Sequence, residues 1–74
     1  MGYKGKVYQI FRDKEGKEQI GEESYVNVNE ATYWANEYAK DDESLKKVYI
    51  FSFDVDDEDY LTNQELVVEV PVNF

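Results

Sequence analysis

Neither cysteine nor histidine occurs in this 74-residue chain, and that double absence narrows what can hold it folded. Disulfides and Cys/His zinc sites, the usual supports of small domains, are both closed to it. Stability must come from buried apolar surface, and a chain of this size buries only about 60% of what its unfolded form exposes. The supply is adequate: 42% of the residues are hydrophobic, including seven Tyr, four Phe and one Trp. A single domain over residues 1–74 is expected. The lack of cysteine fits a reducing compartment. No apolar run approaches the roughly 18 residues of a membrane-spanning helix, and the N-terminal residues lack the apolar stretch of a signal peptide. The expected location is therefore cytoplasmic.

The apolar pattern places the elements. Residues 6–12, Lys-Val-Tyr-Gln-Ile-Phe-Arg, have the β-branched and aromatic density of a strand. Residues 13–17 follow as a loop, with Gly16 where a short hairpin needs positive φ. Residues 18–26 read as a weaker return strand with Gly21 as a bulge. Ala31, Trp34, Ala35, Tyr38 and Ala39 recur at one face of an α-helix and are expected in the core. Asn29 serves as its N-cap, or Asn27 in a capping box with Glu30. Residues 47–55 form the strongest strand, with Val48 and Ile50 on one face and Tyr49, Phe51, Phe53 and Val55 on the other. After an acidic connection at 56–65, residues 66–72 make a last strand. Its alternation puts Leu66, Val68, Val70 and Val72 on one face, and Pro71 marks an end or an edge.

This order, β-β-α-β-β, predicts an α+β fold: a four-stranded antiparallel or mixed sheet with one helix on one face. A single helix leaves the other sheet face uncovered. That face is expected to be exposed or to carry a partner, a homodimer included.

Charge divides the chain. Residues 1–20 carry a balance of +2 (Lys4, Lys6, Arg12, Lys14 and Lys17 against Asp13, Glu15 and Glu18), and residues 21–74 carry −11, giving the net −9. Such a field repels nucleic acid and anionic membranes and attracts basic protein surfaces. The partner expected is a basic, nucleic-acid-binding protein, with no direct contact to nucleic acid or membrane. The basic N-terminal residues are expected to pair with the chain's own carboxylates or to face water.

Two acidic runs are the candidate partner-binding site: Asp41, Asp42 and Glu43, and then Asp54, Asp56, Asp57, Glu58 and Asp59 with Tyr60. Alternate carboxylates on an extended segment stand about 7 Å apart, comparable to successive phosphates along a strand. Glu22 and Glu23 extend the same stripe. Tyr60, and Tyr33 on the outer helix face, are suited to stacking on guanidinium planes. A solvated loop that serves only solubility is the plainer reading of such a run. A third reading is a calcium loop, because Asp54, Asp56, Glu58, Tyr60, Thr62 and Glu65 fall at EF-hand positions 1, 3, 5, 7, 9 and 12. Asp59 stands there where the sharp turn wants glycine, and a strand precedes the loop in place of a helix.

Catalysis finds no footing. There is no histidine base and no cysteine nucleophile; Ser44 and Ser52 have no recognisable base near them in sequence. The four glycines, at 2, 5, 16 and 21, make no phosphate-binding loop. No cofactor is implied.

With its small size, lack of cysteine, abundant tyrosine and acidic runs at 41–43 and 54–59 beside Tyr60, the chain resembles phage-encoded anti-defence proteins. These include DNA mimics that block restriction enzymes and acidic inhibitors of CRISPR nucleases. The likeness is one of class and composition over the whole chain, with no motif matched residue by residue. It implies occlusion of a nucleic-acid-binding or PAM-reading site in the host cytoplasm, without catalysis. The alternative, from a different class, is a small structural or adaptor protein of a mobile element that oligomerises through its open sheet face.

Overall fold

The computed structural model describes residues 5–45 and 47–71; Lys4 of the basic group and Val72 of the last strand lie outside them. The described residues form β1 (Gly5–Phe11), α1 (Val28–Asp41), β2 (Lys47–Val55) and β3 (Leu61–Pro71). The sheet has three strands in the order β1-β2-β3, with both pairs antiparallel. The α+β class and the helix follow the sequence pattern, and β2 coincides with the segment richest in apolar side chains.

The expected fourth strand does not form. Residues 18–26 run back along β1 but meet it only at two isolated bridges, Phe11 with Gln19 and Tyr8 with Tyr25. Between the bridges lie two residues of β1 and five of the returning segment, so its register slips by three and no continuous ladder can close. Gly21, at φ 74°, lies in the excess.

The helix begins one turn earlier than its apolar pattern. Asn27 is the N-cap, its Oδ1 accepting from the Asn29 amide at 2.7 Å. Ala31, Ala35 and Ala39 form the buried stripe, at 0%, 0% and 1% exposure. Trp34 is not in the core; it is 41% exposed. It precedes Ala35 by one residue, about 100° around the helix, and three alanines let the backbone approach the sheet too closely to admit an indole. The layer between helix and sheet holds Ile10, Tyr25, Ala31, Ala35, Leu45, Val48, Ile50 and Val70, flanked by Tyr8, Ile20, Val28, Tyr38 and Val68.

The second sheet face is not open. Val7, Phe11, Phe51 and Phe53 form a buried cluster of their own, with Tyr49 and Val55 packed against it. Phe11 meets Phe51 edge-on at 5.1 Å between ring centroids, a favoured arrangement of ring quadrupoles. The loop at residues 13–17 lies over this cluster. Gly16, at φ 69°, packs against the Phe51 ring and the Gln64 side chain, and its carbonyl accepts from Gln64 Nε2 at 3.0 Å. The helix covers one face of the sheet and this loop covers part of the other.

β3 begins five residues earlier than its apolar run. Its 11 residues pair with the nine of β2 through two irregularities, one between Ile50 and Phe51 and one between Ser52 and Asp54. The first leaves Val67 as an extra residue. Val68 and Val70 therefore face the helix, while Leu66 pairs with Phe51 on the opposite face; the even alternation of Leu66, Val68 and Val70 is broken there. The second is absorbed by Asn63 at φ 54°, a left-handed conformation Asn tolerates. β3 is an edge strand of the described sheet, as Pro71 implies.

Replacing Gly16 with alanine forces a side chain into left-handed backbone and into Phe51, and should cost about 1–2 kcal/mol. Trp34→Ala should change stability by only ~0.5 kcal/mol. Urea unfolding followed by circular dichroism measures both; equal losses at the two positions would return the indole to the core.

Candidate functional site

Carboxylates in the two acidic runs divide by what their oxygens do. Asp56 closes the β2–β3 hairpin: its Oδ1 accepts from the amides of Glu58 at 2.9 Å and Tyr60 at 2.8 Å. The Asp59 amide donates to the Asp56 carbonyl and the Asp56 amide to the Tyr60 carbonyl, both at 3.1 Å. With Asp59 at φ 65°, this is a three-residue hairpin loop whose last residue is left-handed, a common tight return between antiparallel strands. Residues 57–59 form its tip. Tyr60 beside it is 64% exposed.

Asp54 belongs to the ladder. It pairs with Lys6 on one side, Nζ to Oδ1 at 3.0 Å, and accepts from Asn63 Nδ2 at 2.8 Å on the other. The Asn63 hydrogen bond, then the Lys6 ammonium, holds its carboxyl below the ordinary range, and Asp54 in turn raises Lys6. Asp42 accepts from the Ser44 hydroxyl at 2.6 Å and the Ser44 amide at 3.0 Å, which lowers its pKa and shapes the helix exit. Asp13 does the same for the first loop, accepting from the Glu18 amide at 2.9 Å and the Lys17 amide at 3.0 Å, again with a lowered pKa.

Asp42, Asp54 and Asp56 are thus committed to the fold. Asp41, Glu43, Glu58 and Asp59 face solvent, as does Asp57. The two runs are not brought together. The helix exit leads into the first residue of β2 and the hairpin follows its last, so nine residues at about 3.3 Å each, roughly 30 Å, separate them.

The same hairpin bears on the calcium pattern. Asp54 pairs with Thr62 and Ser52 with Glu65 across the ladder, so positions 1, 9 and 12 are spread along paired strands and do not wrap a centre. Among the described residues, no three His, Cys, Asp or Glu converge to hold a metal ion.

Basic side chains find acidic neighbours within the chain. Lys6 meets Asp54, Arg12 meets Glu18, Lys40 meets Glu37, and Lys14 and Lys47 both meet Glu69, at 3.0–4.0 Å. These pairs are exposed and contribute little to stability. An open cleft of about 350 Å³ lies between Arg12, Ser44, Leu45, Lys47 and Tyr49. Among the described residues, no helix is long and apolar enough to cross a membrane.

Tyr33 is on the outer helix face as the sequence implies, but sequence reasoning missed that Trp34 joins it there. Trp34 and Tyr33 sit side by side on the outside of α1, edge-to-face at 5.2 Å and 85°, with Tyr33 57% exposed. The signal was present in the alanine spacing, because a stripe at 31, 35 and 39 is complete without residue 34.

No protein-family model, curated protein or solved structure matches this chain.

Asp13, Asp42 and Asp54 all have folded pKa values below their ordinary 3.8. Each contributes stability that is fully present above that value and is lost as pH falls through the lower folded one. Melting temperature should therefore drop below about pH 4, and Asp13→Asn should flatten the drop. Thermal unfolding across roughly pH 2 to 6 tests this; an unchanged acid limb in Asp13→Asn would remove Asp13 from the account.

Proposed function

We propose that this chain is a non-catalytic acidic binding protein that inhibits a nucleic-acid-binding protein by occupying its basic nucleic-acid site, after the manner of DNA mimics. The observation that carries this reading is the hairpin tip. Asp56 spends its carboxylate on the turn, and the turn in consequence presents Asp57, Glu58 and Asp59 from a fixed backbone beside exposed Tyr60. A preorganised cluster of charge loses little entropy on binding, and a net charge of −9 steers basic surfaces towards it. Asp41 and Glu43, about 30 Å away, form a second and smaller contact point. Nothing in this activity needs a cofactor, and the compartment in which it operates is the cytoplasm.

The test is capture from a cell lysate on the immobilised protein, with a salt gradient for elution and mass spectrometry for identification. The bait is compared with a triple variant, Asp57→Lys, Glu58→Lys and Asp59→Lys; Asp56 is left intact because its loss would open the turn. A basic nucleic-acid-binding protein should be retained by the parent, lost by the variant, and displaced by duplex DNA or RNA. Retention that survives charge reversal, or a captured partner that holds this protein and nucleic acid together, would overturn the reading.

A further inference from the structure

The aromatic pair on α1 has no role in the core, and its surroundings are charged. Trp34 is 41% and Tyr33 57% exposed, and the rings hold each other edge-to-face at 5.2 Å. Helical spacing puts carboxylates around them: Glu30 lies four residues before Trp34, Glu37 three after it, and Asp41 a further turn on. Positions three and four apart are neighbours on a helix surface, so Glu30 and Glu37 flank the rings above and below. Lys40 is drawn to Glu37 at 3.2 Å, and among the described residues it is the helix's sole basic side chain.

An indole face ringed by carboxylates suits one kind of group. A guanidinium is planar, so it stacks on an aromatic ring while its N–H groups reach a carboxylate beside it. An acidic partner would be repelled by Glu30 and Asp41. A second copy would bring the same carboxylates face to face across a symmetric contact. Charge complementarity therefore selects a cationic segment over both.

We propose that Tyr33 and Trp34, with Glu30 and Glu37, form an arginine-docking surface that engages an arginine-bearing segment of the protein partner. This rests on the reading of the chain as a binder of basic proteins, and it adds a second contact on the helix, apart from the hairpin tip. The helix contact offers two rings and the tip only Tyr60, so arginine is distinguished from lysine more strongly at the first than at the second.

Trp34 is the single tryptophan of the chain, so its emission reports this surface without labelling. The experiment titrates the intact protein with a nine-residue arginine peptide and with a nine-residue lysine peptide, following Trp34 fluorescence and, in parallel, total binding by calorimetry. The arginine peptide is expected to change Trp34 emission saturably and to bind about 2- to 5-fold more tightly than the lysine peptide. Trp34→Ala should reduce that preference in calorimetry, and an unchanged preference overturns the proposal. The double variant Glu30→Gln, Glu37→Gln should weaken the fluorescence response, while Asp57→Lys, Glu58→Lys, Asp59→Lys leaves the preference intact. Binding by calorimetry with no response at Trp34 overturns the helix contact and leaves the tip standing. No binding of either peptide overturns both. A change in Trp34 emission with protein concentration alone, without peptide, marks a contact between copies and also overturns the proposal.

Discussion

The packing of both faces of β2 governs the placement of every other element. Val48 and Ile50 are fully buried on one side, and Phe51 and Phe53 are 5% and 9% exposed on the other. A strand apolar on both faces needs two covers, and the described residues contain one helix. The helix takes the Val48–Ile50 face. The Phe51–Phe53 face is covered in part by a loop, which can lie flat only because Gly16 places no side chain between its backbone and the Phe51 ring. Burial of aromatic rings beneath a short loop is how a domain near the lower size limit closes a second cluster without a further element.

Close approach on the helix side has a consequence at the surface. Alanine at 31, 35 and 39 brings the helix backbone near the sheet, so large side chains beside that stripe have nowhere inward to go. Tyr38 still reaches the returning segment, lying against Gly21 and hydrogen-bonded to Tyr25. Burial, before any hydrogen bond, pushes the Tyr25 phenol up. Trp34 lies one more step around the helix and is turned out. Its exposure thus follows from the same packing that buries Ala35.

Sequence pattern made legible whatever depends on one face or one period. β2, the helix, the edge character implied by Pro71 and the ion pairing of Lys6, Arg12 and Lys14 all follow from it. The features it concealed depend on register, which no single segment encodes. Residues 18–26 have strand-like composition, yet the three-residue slip between their two bridges denies them a ladder. Leu66 looks equivalent to Val68 and Val70 until Val67 bulges and turns it to the other face. Residues 61–65 look like loop, but the tight return at Asp56 delivers them straight back onto β2, where Asn63 absorbs the mismatch. Trp34 was assigned to the core on spacing alone, although the alanines had already filled the buried stripe. At the candidate site, the sequence located both acidic runs; it could not tell a carboxylate that builds a turn from one that faces water.

That distinction changes how the acidity should be weighed. A net charge of −9 on so small a chain costs stability through self-repulsion, so acidic residues with no structural task are hard to account for by folding alone. Asp13, Asp42 and Asp56 each organise a turn, and Asp54 ties β1 to β3 through Lys6 and Asn63. These four explain part of the composition with no partner invoked. Within the two acidic runs, Glu58 and Asp59 at one end and Asp41 and Glu43 at the other stabilise no turn. Charge reversal at those positions alone therefore separates acidity that serves a partner from acidity that serves the fold, a separation that changing the whole runs would blur by opening the turns themselves.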